Sequence, residues 1–452
     1  MSESKPTTLR RELGTIESYA ILIGILVGAG IFAVTSDAGA IAGPSVILGY
    51  IALAPVVMAT AVAYLVFLTT SLGLQPGGEV LHIERTFQNG TLTFVSVWLK
   101  FVSYLGAAAY LADALALNFE KLFEVQLEPT PHMLLTLGMI AFFWFVHTRS
   151  VLWFGRLQVA MCAVLGVALC VLIVPGLFAI EVANLQPFFT AGWSGFATAL
   201  PMLFFAYAGF ESLAHSAGEV RDSQRNLPKV FVRGILITTV VFVAMSVVAF
   251  GVLPPGAVGA TRVPMSEAAA VYLPVGAREL VTIGAIMAIA TSLNATLLVP
   301  ARLAWSMARA GKLSQAFGRV HAQRQIPVFG VTVSALLVAA LAWSGQRHLA
   351  LAIATSALIA LYVIHSIALL ALPRRNPQLF AEVSTRLSRR WQVVAAWLSV
   401  GALTTVLAIQ FGGDVTKRWQ DPLLGDLTTL ELLLLWIVLG LILSRTSRRS
   451  SC

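Results

Sequence analysis

Long apolar runs separated by short polar stretches recur along the whole chain. Twelve of them approach or exceed membrane-crossing length, at residues 16–36, 44–70, 91–115, 132–147, 156–180, 195–214, 230–253, 278–308, 328–344, 349–372, 391–411 and 428–444. A helix needs roughly 20 mostly apolar residues to cross the hydrocarbon core, and the fourth run is the shortest. The pattern predicts an all-α polytopic membrane protein with twelve transmembrane helices. Runs one to five span 16–180 and runs six to ten span 195–372, two blocks of similar length. Five is odd, so the second block inserts upside down relative to the first. The expected layout is a five-plus-five inverted repeat, followed by two extra C-terminal helices over 391–444 and flanked by tails at 1–15 and 445–452.

Two runs carry small residues where their centres should be. The first reads Leu26-Val-Gly-Ala-Gly-Ile-Phe32 and the sixth Leu203-Phe-Phe-Ala-Tyr-Ala-Gly-Phe-Glu211. Glycine disfavours a helix by about 1 kcal/mol relative to alanine, and non-helical backbone survives at membrane depth only where it is buried in protein or lines a cavity. A small-residue packing face, with Gly24 and Gly28 four apart, is the other explanation. Corresponding interruptions in two inverted halves point to a transporter's midplane binding site, which predicts broken helices 1 and 6. The freed N–H groups near Ala29, Gly30 and Ile31, at the positive end of a half-helix, suit a carboxylate. Carbonyls at Leu26, Phe205 and Ala208 suit an ammonium group. A solute with both charges on adjacent atoms is an α-amino acid.

Charge sets the orientation. Only 11% of residues are charged, against about 25% in soluble domains. Of the 30 Lys and Arg, 23 fall on segments facing one side when both termini are placed in the cytoplasm, as the positive-inside rule requires. The expectation is a multi-pass protein of the cell (cytoplasmic) membrane with both termini inside. The formal charge of +9 then reflects this bias and the neighbouring anionic lipid, and nothing indicates a nucleic-acid partner. Cys162 and Cys170 stand about 12 Å apart along one helix, too far for a disulfide, and Cys452 lies in the tail. No nucleophile–base pairing or metal-ligand cluster suggests an enzyme, and no cofactor is expected.

These residues resemble the amino acid-polyamine-organocation permeases, which share the leucine-transporter-like fold. Gly28-Ala-Gly-Ile-Phe32 is similar to that family's Gly-Ser-Gly-Ile-Phe break, and Phe204–Glu211 to its helix-6 signature. Gly218–Lys229 is similar to its acidic loop with Arg-Asn-x-Pro, and Ala301–Gly311 to the close of helix 8. The resemblance implies a secondary carrier working by alternating access, with Gly28, Ala29 and Gly30 serving the substrate carboxylate and the Phe205 and Ala208 carbonyls its amine. It departs from the family in helix 5, where no lysine stands to replace a sodium ion, and in the Arg-Ala-Gly that closes helix 8.

The expected pocket comprises Leu26, Gly28, Ala29, Gly30, Ile31, Ser103, Phe205, Ala206, Tyr207, Ala208 and Asn294, with Ala107 nearby and Phe32, Phe205 and Tyr207 as gates. Apart from Glu211 it holds no fixed charge, so a neutral L-amino acid is the first expectation, with cationic amino acids or amines as the alternative and a non-transporting sensor as a different class. Thr291 and Ser292 are expected ligands for a sodium ion, or else bond back to their own helix. Glu211, an intramembrane carboxylate, is either a proton carrier with His215 one turn on or a cap on loose backbone. Lys100 is expected to snorkel to the cytoplasmic face, Asp113 to sit on a solvated outer rim, and His365 to be packed or interfacial. Partners are the solute, H+ or Na+ as coupling ion, with exchange as the uncoupled alternative, and lipid, with the chain as a monomer or homodimer.

Overall fold

The computed structural model describes residues 14–449 except 76, 150, 216, 218, 219, 310, 312, 322–325 and 421–426, and side chains at 17, 20, 29, 31, 151–156 and 445–449 are also outside it. Among the described residues the chain runs α1 (Thr15–Phe32), α2 (Val34–Ala42), α3 (Val46–Leu68), α4 (Gly78–Phe87), α5 (Gly90–Leu122), α6 (Pro129–Arg149), α7 (Val151–Gly176), α8 (Gly192–Ala206) and α9 (Ser212–His215). It continues through α10 (Ser223–Val252), α11 (Ala257–Ala260), α12 (Pro264–Tyr272), α13 (Ala277–Arg309), α14 (Val328–Trp343), α15 (Arg347–Arg375), α16 (Pro377–Ala381), α17 (Arg389–Gln420) and α18 (Thr429–Arg449). Eight of these runs are long and apolar enough to cross a membrane, with α8, α14 and part of α18 as shorter apolar helices. Every predicted apolar window overlies helix. Short α4, α11, α12 and α16 lie outside those windows.

The core is built on α5 and α13, each of 33 residues, which pack against each other, with α15 against α5 and α7 against α13. The Asn89 side chain starts α5 by accepting from the Thr91 and Leu92 N–H groups at 3.0 Å, which satisfies donors that a helix start otherwise leaves unpaired. α1 wedges between α10 and α13. Two residues set how closely it approaches α13 and α8. A Cβ on Gly28 would lie 2.3 Å from the Ala288 carbonyl oxygen and the Ser292 hydroxyl, and one on Gly30 would lie 2.7 Å from Ala206.

This packing corrects the expected break of helix 1. α1 runs without interruption through Gly28-Ala29-Gly30 and ends at Phe32, and the following turn at Ala33 keeps φ −102° and ψ −44°, still in the helical region. The N–H groups of residues 29–31 therefore sit within a continuous helix. Close approach to α13 and α8, the small-residue packing explanation, accounts for the glycines. Helix 6 does break. α8 stops at Ala206, residues 207–211 form turns, and α9 resumes at Ser212. Gly209 has φ +106°, a conformation that side chains with a Cβ rarely adopt.

At the far end of the chain, α18 docks on α5 through two tryptophans. Trp98 and Trp436 stack with ring centroids 4.4 Å apart, and each indole N–H donates to the other's backbone carbonyl, at 2.7 and 3.0 Å. Trp436→Ala is expected to cost about 3 kcal/mol, the lower end of large-to-small aromatic truncations, read as a lower thermal midpoint in detergent. An unchanged midpoint would mean that α18 contributes nothing to the stability of α5.

Candidate functional site

The helix-6 break leaves the peptide N–H of Gly209 without a helical partner, and a carboxylate two residues on meets it. Glu211 Oε2 accepts from Gly209 N at 3.0 Å and from the Tyr362 hydroxyl of α15. Its Oε1 accepts from the Tyr104 hydroxyl of α5 at 2.9 Å. Tyr104 also shares a 2.9 Å hydrogen bond with Ser212, the first residue of α9. The carboxylate is fully buried, and three donors replace the water it has lost, as a buried charge requires. Glu211 thus binds the break to α5 and α15, which accords with the capping alternative.

Beside this cluster lies a small cavity whose walls include Ile25, Ser103, Tyr104, Ala107, Phe205, Ala208, Glu211 and Thr296. Its free space is about 40 Å³, enough for a water or two, so the walls stand close together in this conformation. Of the residues the sequence singled out, Ser103, Phe205 and Ala208 line this cavity together. Ser103 donates to the Ala354 carbonyl at 2.8 Å, and Phe205 meets Tyr110 edge-on at 5.9 Å. The Phe205 carbonyl accepts from Ala208 N at 2.9 Å.

Other expected site residues lie elsewhere. Leu26 is buried outside the cavity lining, where Ile25 stands instead. Phe32 and Ala206 are buried and also outside it, and the side chains of Ala29 and Ile31 fall outside the described residues. Tyr207 turns away, its hydroxyl donating to the Tyr50 carbonyl at 3.0 Å and lying 3.1 Å from Thr239 Oγ1, with its ring against Phe242. Asn294 also turns away, held by His147 at 2.9 Å and Gln158 at 3.0 Å. Thr291 and Ser292 do reach α1. The Thr291 hydroxyl donates back to the Ala288 carbonyl of its own helix at 2.6 Å and lies 3.2 Å from the Gly24 carbonyl, and Ser292 donates to Ile25 at 3.2 Å. These two hydroxyls and the Gly24 and Ile25 carbonyls form an all-oxygen group of the kind a hard cation takes, with the hydroxyl protons directed at carbonyls.

Charged groups close both ends of the bundle. On the α2 side, Arg347 of α15 donates to Asp37 at 2.6 Å and reaches Asp113 at 3.5 Å, while Tyr110 donates to Asp37 at 2.9 Å. His132 lies 3.0 Å from Asp113, so Asp113 belongs to a network rather than to a free rim. On the opposite side, Lys100 does not snorkel. It is fully buried and paired with Glu79 of α4 and with His215, because α4 folds back beneath α5 and brings a carboxylate to the ammonium. His215 thus faces Glu79 and Lys100, whereas Glu211 faces the two tyrosines. His365 is packed, its Nε2 3.0 Å from His82 Nδ1.

Glu79, Asp37, Tyr104 and Tyr362 were not foreseen as site residues. Tyr104 carried one signal, since it follows Ser103 and stands four residues after Lys100, on the same helical face. Glu79 lies in a polar stretch between apolar windows, where hydropathy has nothing to say.

A small cavity at the break of a buried helix, with ion pairs on either side of it among long apolar helices, is an arrangement that suits a multi-pass membrane transporter. The chain belongs to the amino acid permease family, whose model matches residues 13–438. It is 23% identical over 399 residues to the methylthioribose transporter of Bacillus subtilis, covering 84% of this chain and 85% of that one. It is 24% identical to the branched-chain amino acid permease BcaP of the same organism, covering 82% and 83%. It is also 27% identical to cationic amino acid transporter 9, chloroplastic, of Arabidopsis thaliana, covering 70% of this chain and 58% of that protein.

Proposed function

We propose that this permease is a secondary active carrier of neutral L-amino acids, working by alternating access across the cytoplasmic membrane with both termini inside. Twelve spans arranged as a five-plus-five inverted repeat with two further C-terminal helices fit that mode of action, and the break in helix 6 supports it. The observation that carries the substrate class is the cavity itself. Its walls are mostly apolar, and its one carboxylate, Glu211, already accepts three hydrogen bonds. An apolar side chain fits such walls without leaving a buried charge unpaired. The likeness to a branched-chain permease points the same way. The Glu211 charge and the likeness to a cationic amino acid transporter support a cationic substrate as the second reading.

Coupling divides between two groups. The oxygen set of Gly24, Ile25, Thr291 and Ser292 favours sodium, and Glu211 with His215 favours protons. Reconstitution into proteoliposomes with labelled leucine, valine, lysine and arginine decides both matters. Leucine and valine are expected to accumulate against their gradients, and lysine is expected to compete weakly. Removal of the sodium gradient or of the pH gradient identifies the coupling ion. Preferred uptake of lysine would establish the second reading, and binding without uptake a sensor.

A further inference from the structure

The buried ion pair on the α4 side has an arrangement that maintaining the fold alone does not require. The chain enters α4 through two glycines of positive φ, Gly77 at +136° just before the helix and Gly78 at +52° as its first residue, so the chain turns sharply into the helix. A Cβ on Gly78 would lie 2.8 Å from His215 Nε2, so the imidazole rests against the start of α4. Glu79 Oε1 takes the Lys100 ammonium. Its Oε2 lies 3.2 Å from His215 Nε2 but makes no aligned hydrogen bond. Burial pushes the Glu79 carboxyl up, and the Lys100 ammonium and His215 outweigh it and hold it well below the usual carboxylate range.

The three groups differ in what holds them. Glu79 and Lys100 are completely buried, whereas the His215 side chain is 26% exposed. α4 is fastened to α5 and α15, partly through the His82–His365 contact, while His215 ends α9, a single turn of helix after the helix-6 break. When His215 leaves, the Glu79–Lys100 pair stays together and no uncompensated charge is buried, which is the expensive way to break such a cluster. Only a partly wet imidazole has to move.

We propose that Glu79, Lys100 and His215 form a latch that holds the segment after the helix-6 break against α4 and α5, and that release of His215 opens the cavity towards the α4 side. This rests on the alternating-access reading above. Glu79 and Lys100 are the fixed plate and His215 the moving part, with the Tyr104 ring 5.5 Å from Lys100 connecting the latch to the Glu211 cluster.

The test reads the conformation without needing transport. In full-length protein with Cys162, Cys170 and Cys452 replaced by serine, single reporters Ser212→Cys and Leu111→Cys mark the α4-side and α2-side walls of the cavity. Their rates of reaction with a water-soluble maleimide are compared in nanodiscs. His215→Ala is expected to raise the Ser212→Cys rate about tenfold relative to Leu111→Cys, the scale of losing one hydrogen bond to a charged group, with His215→Gln restoring part of the difference. Glu79→Gln/Lys100→Met removes both charges together, so it folds where a single change strands a charge, and it is expected to give the same rise. Folded His215→Ala or double-variant protein with the parent's rate ratio would overturn the latch. A ratio that responds in protein showing no uptake would uphold the latch while rejecting the carrier reading.

Discussion

Gly28→Val is expected to destabilise the protein by about 3 kcal/mol or more, at or beyond the upper range for overpacking a filled core. The cost comes from what the new side chain meets. Two of the nearest atoms, the Ala288 carbonyl oxygen and the Ser292 hydroxyl, lie 2.3 Å from the ideal Cβ position, with Thr291 Oγ1 at 3.0 Å. A flexible side-chain end could swing aside, but the Ala288 carbonyl belongs to the backbone of α13. The two helices must part, and the hydroxyl contacts from Thr291 and Ser292 to the Gly24 and Ile25 carbonyls part with them. Thermal unfolding in detergent measures the loss. Gly401→Ala serves as the contrast, since its Cβ would meet nothing within 4 Å and alanine favours a helix by about 1 kcal/mol. Equal midpoints for Gly28→Val and the parent would refute the packing of α1 on α13.

Glu211→Gln is expected to lower uptake by about 10- to 100-fold, the equivalent of weakening one or two hydrogen bonds to a charged acceptor. The carboxylate faces donors on both oxygens: Tyr104 on one, and Tyr362 with the Gly209 N–H on the other. An amide presents an NH2 to one of these sets. Tyrosine hydroxyls can turn to accept, but a peptide N–H cannot, so the amide oxygen goes to Gly209 and the NH2 to Tyr104, whose bond to a charged acceptor is exchanged for one from a neutral donor. Glu211→Ala leaves all three donors unmatched and is expected to lose more, in stability as well as in uptake. The pH profile separates the two roles of the residue. Glu211→Gln protein that keeps the parent's profile, at any rate, excludes Glu211 as the proton carrier.

The two glycine-bearing segments look alike in sequence and fold differently, and the reason is physical. Gly28-Ala29-Gly30 has close neighbours that its missing side chains admit, and its helix continues. Gly209 adopts a positive φ, and a carboxylate two residues later takes the N–H that the helix gives up. Local composition marks both places as special, but only the neighbours decide between close packing and a break. Asn294 shows the same limit, because its position on α13 was legible while its orientation depended on His147 and Gln158 from α6 and α7.

What the sequence determined by itself follows from short-range physics. Apolar length placed the helices, since hydrocarbon demands internally bonded backbone, and the order of motifs led to the family. Ser103, Ala208 and Glu211 were legible because small, hydroxylated or charged residues within apolar spans are conspicuous, and Phe205 because it stands three residues before Ala208 in the same interrupted run. Tertiary structure alone decided which charges meet. Glu79 and Lys100 stand 21 residues apart, and Asp37 and Arg347 stand 310 apart. A buried ion pair exists only where two helices happen to deliver opposite charges to one dry place, and no local pattern records that delivery.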